Sequence, residues 1–172
     1  MQLIRCTAKL LKEMGLKKTG LVDESPQFSF LGQWHANLIY ISRRKCVIFV
    51  NDKILLNFIV ADVSRAEIRK LDEMFESMFR CVLASEGFSK ELVEKILAEY
   101  SEVKFGKSNS RSVLGSLNDL AFNYEYSIFE GGGPHSPEVP AIIARLNRMP
   151  MRASVGYIYP LEELGKLFQT AT

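Results

Sequence analysis

His35 and Asp52 stand near the ends of two β-rich segments, Trp34-His35-Ala36-Asn37-Leu38-Ile39-Tyr40-Ile41 and Cys46-Val47-Ile48-Phe49-Val50. A carboxylate beside an imidazole can orient the ring and raise its basicity, the pairing used in general acid–base chemistry. A two-residue turn at Arg43-Arg44 would set Ile41 opposite Cys46, Asn37 opposite Val50 and His35 opposite Asp52, with Val50 opposite Lys53 across the next turn. In that register His35, Asn37, Asp52 and Lys53 gather at one end of one face. Trp34, Ala36, Leu38, Val47, Phe49, Leu56 and Phe58 then form the opposite, core face. A hydrogen-bonded histidine at the end of a sheet is the plainer reading of His35, and it is preferred to the catalytic one. No Gly-x-Ser-x-Gly elbow, second nearby histidine or placed cysteine completes a catalytic set.

A second candidate is Lys107-Ser108-Asn109-Ser110-Arg111-Ser112, a basic, hydroxyl-rich entry into a helix. Free N–H groups at such a start can hold an anion, with Lys107 and Arg111 available for phosphate oxygens, although capping by Ser110 accounts for the same residues. The P-loop spacing is absent, and Gly131-Gly132-Gly133 does not supply it. Asn118, within a crowded apolar helix, calls for a hydrogen-bond partner. Arg43, Arg44 and Lys45 form a hairpin tip that could touch nucleic acid or simply keep the tip soluble. Asn147-Arg148-Met149-Pro150 and Tyr157-Ile158-Tyr159-Pro160 match neither RNA-stacking nor DNA-reading motifs.

The elements that must position these groups follow from periodicity and caps. A strand at Gln2 to Arg5 leads into a helix capped by Thr7 and closed by Gly15. An irregular stretch over 16–33, with Phe28 and Phe30, folds over a surface or moves as a flap. A three-stranded antiparallel meander occupies about 34–60. Ser64 or Asp62 caps a long helix to Gly87, and Ser89 caps a second. A short strand at Val103 to Phe105 precedes a central helix from Arg111 to Phe129. Ser136-Pro137 starts the next helix, a strand runs from Ala153 to Tyr159, and Pro160 opens the last helix. The expected class is α+β: a small, mostly antiparallel sheet covered by helices.

Composition sets the outer bounds. The chain has 172 residues, 47% of them hydrophobic and 24% charged, so one domain with a full core is expected over 1–172. The net charge of +2 lacks the basic excess of a dedicated nucleic-acid binder. It is unevenly spread: residues 1–60 carry nine basic and four acidic side chains, and residues 61–102 carry six and ten. Cys6, Cys46 and Cys81 lie far apart in apolar stretches, the pattern of small buried hydrophobes and not of a metal site or disulfide framework. No signal peptide or membrane-length apolar run is evident, so a cytoplasmic location is expected, with no metal and no cofactor.

Several blocks resemble a bacterial family of domains of unknown function. They are Arg5-Cys6-Thr7 with Lys9-Leu10-Leu11, Trp34 to Leu38, Arg43 to Val47, Val50 to Lys53, Arg111 to Asp119, and Leu146 to Pro150. Some members of that family are joined to a module resembling plasmid Ri open-reading-frame-three proteins. The resemblance implies a bacterial, cytosolic and mobile-element setting, and it assigns no reaction, cofactor or catalytic residue. The leading functional expectation is a non-enzymatic binding or accessory module that contacts a protein partner or phosphate-bearing ligand. One alternative is a small hydrolase or transferase using His35 and Asp52, with Arg111 stabilising an anion. The other is a nucleic-acid-associated protein.

Overall fold

Helix ends fall where short-range chemistry puts them. Gly15 closes α1 (Ala8–Met14) in the left-handed conformation, φ +74°. Ser64 and Glu67 form a reciprocal capping box on α2 (Arg65–Ile68). The Ser89 hydroxyl accepts from Leu92 N–H at the start of α4 (Lys90–Ala98), and Ser110 does the same for Val113 at α5 (Arg111–Glu130). The single helix expected up to Gly87 is interrupted at Arg69-Lys70, so α3 spans Leu71–Ser85. The next helix, α6 (Val139–Leu146), begins after Ser136-Pro137, and α7 (Pro160–Gln169) opens on its proline. These positions belong to a computed structural model that describes residues 2–23 and 30–169; Phe28 lies outside the described residues. Phe30 is 41% exposed and leans on Phe168, with ring centroids 5.9 Å apart.

Five strands form one sheet: β1 (Gln2–Cys6), β2 (Trp34–Ile41), β3 (Arg44–Asn51), β4 (Asn57–Val60) and β5 (Val103–Lys107), in the order β4-β3-β2-β1-β5. The fold is α+β, but the sheet is mixed and not mostly antiparallel, because β1 runs parallel to both β2 and β5. Parallel neighbours need crossover connections, and α1 lies within the one between β1 and β2. The expected strand at 153–159 is a separate two-stranded hairpin, β6 (Met151–Ala153) with β7 (Gly156–Ile158).

The meander forms with a corrected register. Ser42 and Arg43 make the β2–β3 turn, both at positive φ (49° and 65°), so Ile41 pairs with Arg44, Asn37 with Ile48 and His35 with Val50. Each partner moves by two residues, which keeps every side chain on its expected face. Beyond β3 the chain loops through 52–56 before pairing Val50 with Asn57, so His35 does not sit opposite Asp52.

Helices cover both faces. Trp34, Phe49 and Phe58 pack against Phe75 and Phe79 of α3, with Trp34 centroids 5.0 Å and 5.1 Å from the two α3 rings. On the other face α5 packs across β2 and β3, and its buried Tyr124 donates to Asn57 Oδ1 at 2.8 Å. Burial on both faces explains the nearly unbroken apolar run of β3. Cys6 and Cys46 are buried as expected of small hydrophobes, whereas Cys81 is exposed on α3.

Candidate functional site

Arg5 is the organising residue. It lies on β1 beside His35 of β2 and Gly106 of β5, and it is 6% exposed. Its guanidinium donates to Gln33 Oε1 (2.6 Å), the Lys107 carbonyl (3.1 Å) and the Asp23 carbonyl (2.6 Å). All three acceptors are neutral. Among the described residues no carboxylate forms an ion pair with this buried cation, an arrangement that ordinarily demands compensation. Gly106 makes the approach to Asp23 possible: a Cβ there would lie 2.7 Å from the Val22 carbonyl.

Around Arg5 lies a cleft of about 440 Å³, enclosed by the sheet end, the start of α5 and the β6–β7 turn. Buried Asn51 shapes its near wall. The Asn51 amide donates to the Leu31 and Gln33 carbonyls and accepts from the N–H groups of Lys53 and Ile54. This clamp holds Asp52 and Lys53 at the rim, and Asp52 Oδ1 accepts from Gln33 N–H at 3.1 Å. Gly32 must be glycine here, since its φ is +79° and a Cβ would meet Asp52 Oδ1 at 3.0 Å. Leu55, which also lines the cleft, adopts φ +57°, a strained conformation for a leucine. The far wall carries Ser110, Ser112 and Ser116 of α5 and Arg152 of β6. Arg5, Lys53 and Arg152 thus face Asp52 as the sole lining carboxylate among the described residues.

His35 lines the same cleft, is 2% exposed, and has no hydrogen-bond partner on Nδ1. Burial, reinforced by the charge of Arg5, pushes its pKa down from 6.5 to about 4, so the ring is neutral at neutral pH. No hydrogen bond joins it to Asp52. Burial pushes the Asp52 carboxyl up, opposed by the Gln33 N–H and by the charges of Arg5 and Lys53. The stability consequence of His35 has a definite sign. Between pH 6.5 and 4 the unfolded chain takes a proton that the folded chain refuses. The stabilisation is therefore whole above pH 6.5 and is lost as pH falls through about 4. Its size is on the order of 3 kcal/mol, at about 1.4 kcal/mol per pH unit. Urea unfolding of wild type and His35→Gln at pH 7 and pH 4 should show the smaller acid loss in the variant; parallel losses would contradict a buried neutral ring.

The other sequence candidates are dispersed. Arg111 is exposed and does not line the cleft; Ser110 and Ser112 on either side of it do. Lys107 contributes its carbonyl to Arg5 while its side chain stays outside the lining. Asn118 is exposed on α5, so it needs no internal partner, contrary to the expectation for a crowded helix. Asn37 is half-buried and accepts from the Thr7 hydroxyl at 2.9 Å. At the hairpin tip Arg44 pairs with Asp62 at 3.7 Å and Lys45 with Glu13, while Arg43 occupies the turn. Sequence reasoning overlooked Arg5 and Arg152. A lone arginine within the apolar strand Gln2–Cys6 was the available signal for the first; Arg152 offered none.

Among the described residues no group of three or more His, Cys, Asp or Glu side chains could hold a metal ion, and no helix is long and apolar enough to cross a membrane. Comparison with curated proteins gives no match. A family model does match, over residues 3–163, and Arg5, His35, Asp52, Lys53, Ser112 and Ser116 all fall within the blocks that suggested a family from sequence. The chain accordingly belongs to the family described as Domain of unknown function (DUF6933).

Proposed function

We propose that this domain is a binding module for a small phosphate-bearing ligand, received in the cleft around Arg5. The observation that carries the reading is the buried guanidinium of Arg5, which shares one cleft with Lys53 and Arg152 and has no carboxylate ion-pair partner among the described residues. An anion would give the guanidinium the charged hydrogen-bond acceptor that none of the described carboxylates provides. The start of the 20-residue helix α5 adds N–H groups and hydroxyls of the kind that phosphate oxygens accept from. Neutral His35 lines the same cleft and adds no charge to oppose an anion there. General acid–base catalysis is less well supported, because it needs an imidazole titrating near neutrality and oriented by a carboxylate.

The test is thermal unfolding with inorganic phosphate and pyrophosphate. A ligand at about 100 times its Kd adds roughly 2.7 kcal/mol, a rise of roughly 5–10 °C for a domain of this size. Pyrophosphate should give a shift that added salt weakens and that Arg152→Ala and Lys53→Ala each reduce; both residues are exposed, so the fold should survive. A shift identical in wild type and both variants would place the anion elsewhere.

A further inference from the structure

A second groove, of about 470 Å³, adjoins the anion cleft along α5. Ser116 and Arg152 line both, so the two adjoin at these residues as a two-part trough. Its two ends differ in chemistry. The Arg5 end is cationic and rich in hydroxyls. The other end presents the rings of Phe122 and Tyr157, 72% and 73% exposed, together with Met149 and the polar heads of Asp119 and Asn123.

Large aromatic rings left this open beside a cationic cleft suit a flat partner that has its own hydrogen-bonding rim. Asp119 and Asn123 are four residues apart on α5 and therefore lie on one face of it, a carboxylate acceptor next to an amide that can both donate and accept. Such a pair suits the ring N–H, amino and carbonyl groups of a nucleobase. Ser116 borders both cavities, and its hydroxyl, which donates to the Ser112 carbonyl at 3.3 Å, can still accept from a group lying between them.

We infer that the trough binds a nucleoside phosphate, its phosphate groups at Arg5, Lys53 and Arg152, its sugar at Ser116, and its base against Phe122 and Tyr157 within reach of Asp119 and Asn123. This rests on the anion-binding reading and extends it to a ligand class. A bare phosphate or pyrophosphate fills only one end. The base adds stacking, which is sequence-tolerant because every base offers a π face, and hydrogen bonds that discriminate among bases.

Calorimetric titration of the full chain with pyrophosphate and, separately, with GDP, ADP, CDP and UDP tests it. At least one nucleoside diphosphate should bind roughly tenfold or more tightly than pyrophosphate. Tyr157→Ala should remove most of that advantage while changing pyrophosphate affinity less than about twofold; the side chain is largely exposed, so folding is not at issue. Four nucleotides that bind no more tightly than pyrophosphate would overturn the base site and leave the anion cleft standing. No binding by pyrophosphate or by any nucleotide would overturn both readings.

Discussion

Truncating Trp34 to alanine is expected to lower the unfolding free energy by about 4 kcal/mol, a large share of the 5–15 kcal/mol typical of a domain. The indole is fully buried and packs on three rings, those of Phe58, Phe75 and Phe79, with centroids 5.0–5.4 Å away. Its N–H donates to the Tyr100 hydroxyl at 3.0 Å. Alanine removes the packing, the hydrogen bond and the volume together. Trp34→Phe keeps most of the packing and should lose only about 1–2 kcal/mol. Since Trp34 is the one tryptophan of the chain, both variants need urea unfolding followed by far-ultraviolet circular dichroism instead of fluorescence. A loss below about 1 kcal/mol for the alanine variant would mean that the aromatic cluster does not hold α3 to the sheet. Trp34 also begins the strand that carries His35, so the alanine variant should bind pyrophosphate more weakly even where it stays folded.

Asn147→Ala should cost about 3 kcal/mol, through polar groups instead of volume. The 2%-exposed Asn147 amide imitates a strand partner for Asn57: its oxygen accepts from Asn57 N–H at 2.9 Å and its nitrogen donates to the Asn57 carbonyl at 2.7 Å. The same nitrogen reaches the Ile143 carbonyl at 2.9 Å, which ties α6 to β4. Removing the amide leaves a buried N–H and a buried carbonyl without these partners, at about 1–3 kcal/mol each. Because Tyr124 completes the cluster through Asn57, Asn147→Ala and Tyr124→Phe should be non-additive in a double-mutant cycle. Additive losses would show that the four-residue arrangement does not act as a unit. Asn147→Asp should fare as badly as alanine near neutral pH, since a carboxylate would then face two carbonyls.

What could be read from the sequence was local. Ser64, Ser89, Ser110, Gly15 and Gly87 mark helix ends because capping involves only neighbours in the chain. Long-range order was not legible in the same way. Nothing in Gln2–Cys6 states that the strand lies between β2 and β5, since its apolar character satisfies any buried strand. The β2–β3 register was misread because turns of this kind normally advertise Asn-Gly or Asp-Gly, and here Ser42-Arg43 adopts the positive φ pair without them. The two-residue error preserved the faces, and for that reason the core lining of Trp34, Phe49 and Phe58 was legible while the placement of His35 opposite Asp52 was not. Arg111 looked like the anion ligand because it follows the cap. The helix turns it outward, and Ser110 and Ser112 line the cleft instead. Arg5, hidden among hydrophobic residues, reaches the same cleft only once three strands assemble.

The two outermost strands of the sheet each have part of the free edge occupied, by different devices. The Asn147 amide occupies the backbone groups of Asn57 that β4 would otherwise offer, and Val22 donates its N–H to the Phe105 carbonyl at 2.9 Å on the far side of β5. A five-stranded sheet with bare margins would be a template for strand addition from another molecule, the first step of edge-to-edge aggregation. Here one margin is blunted by a side chain and the other by a passing segment of the same chain. Strand addition is therefore obstructed at these two positions, and Asn147→Ala should remove the obstruction at β4 along with its stability.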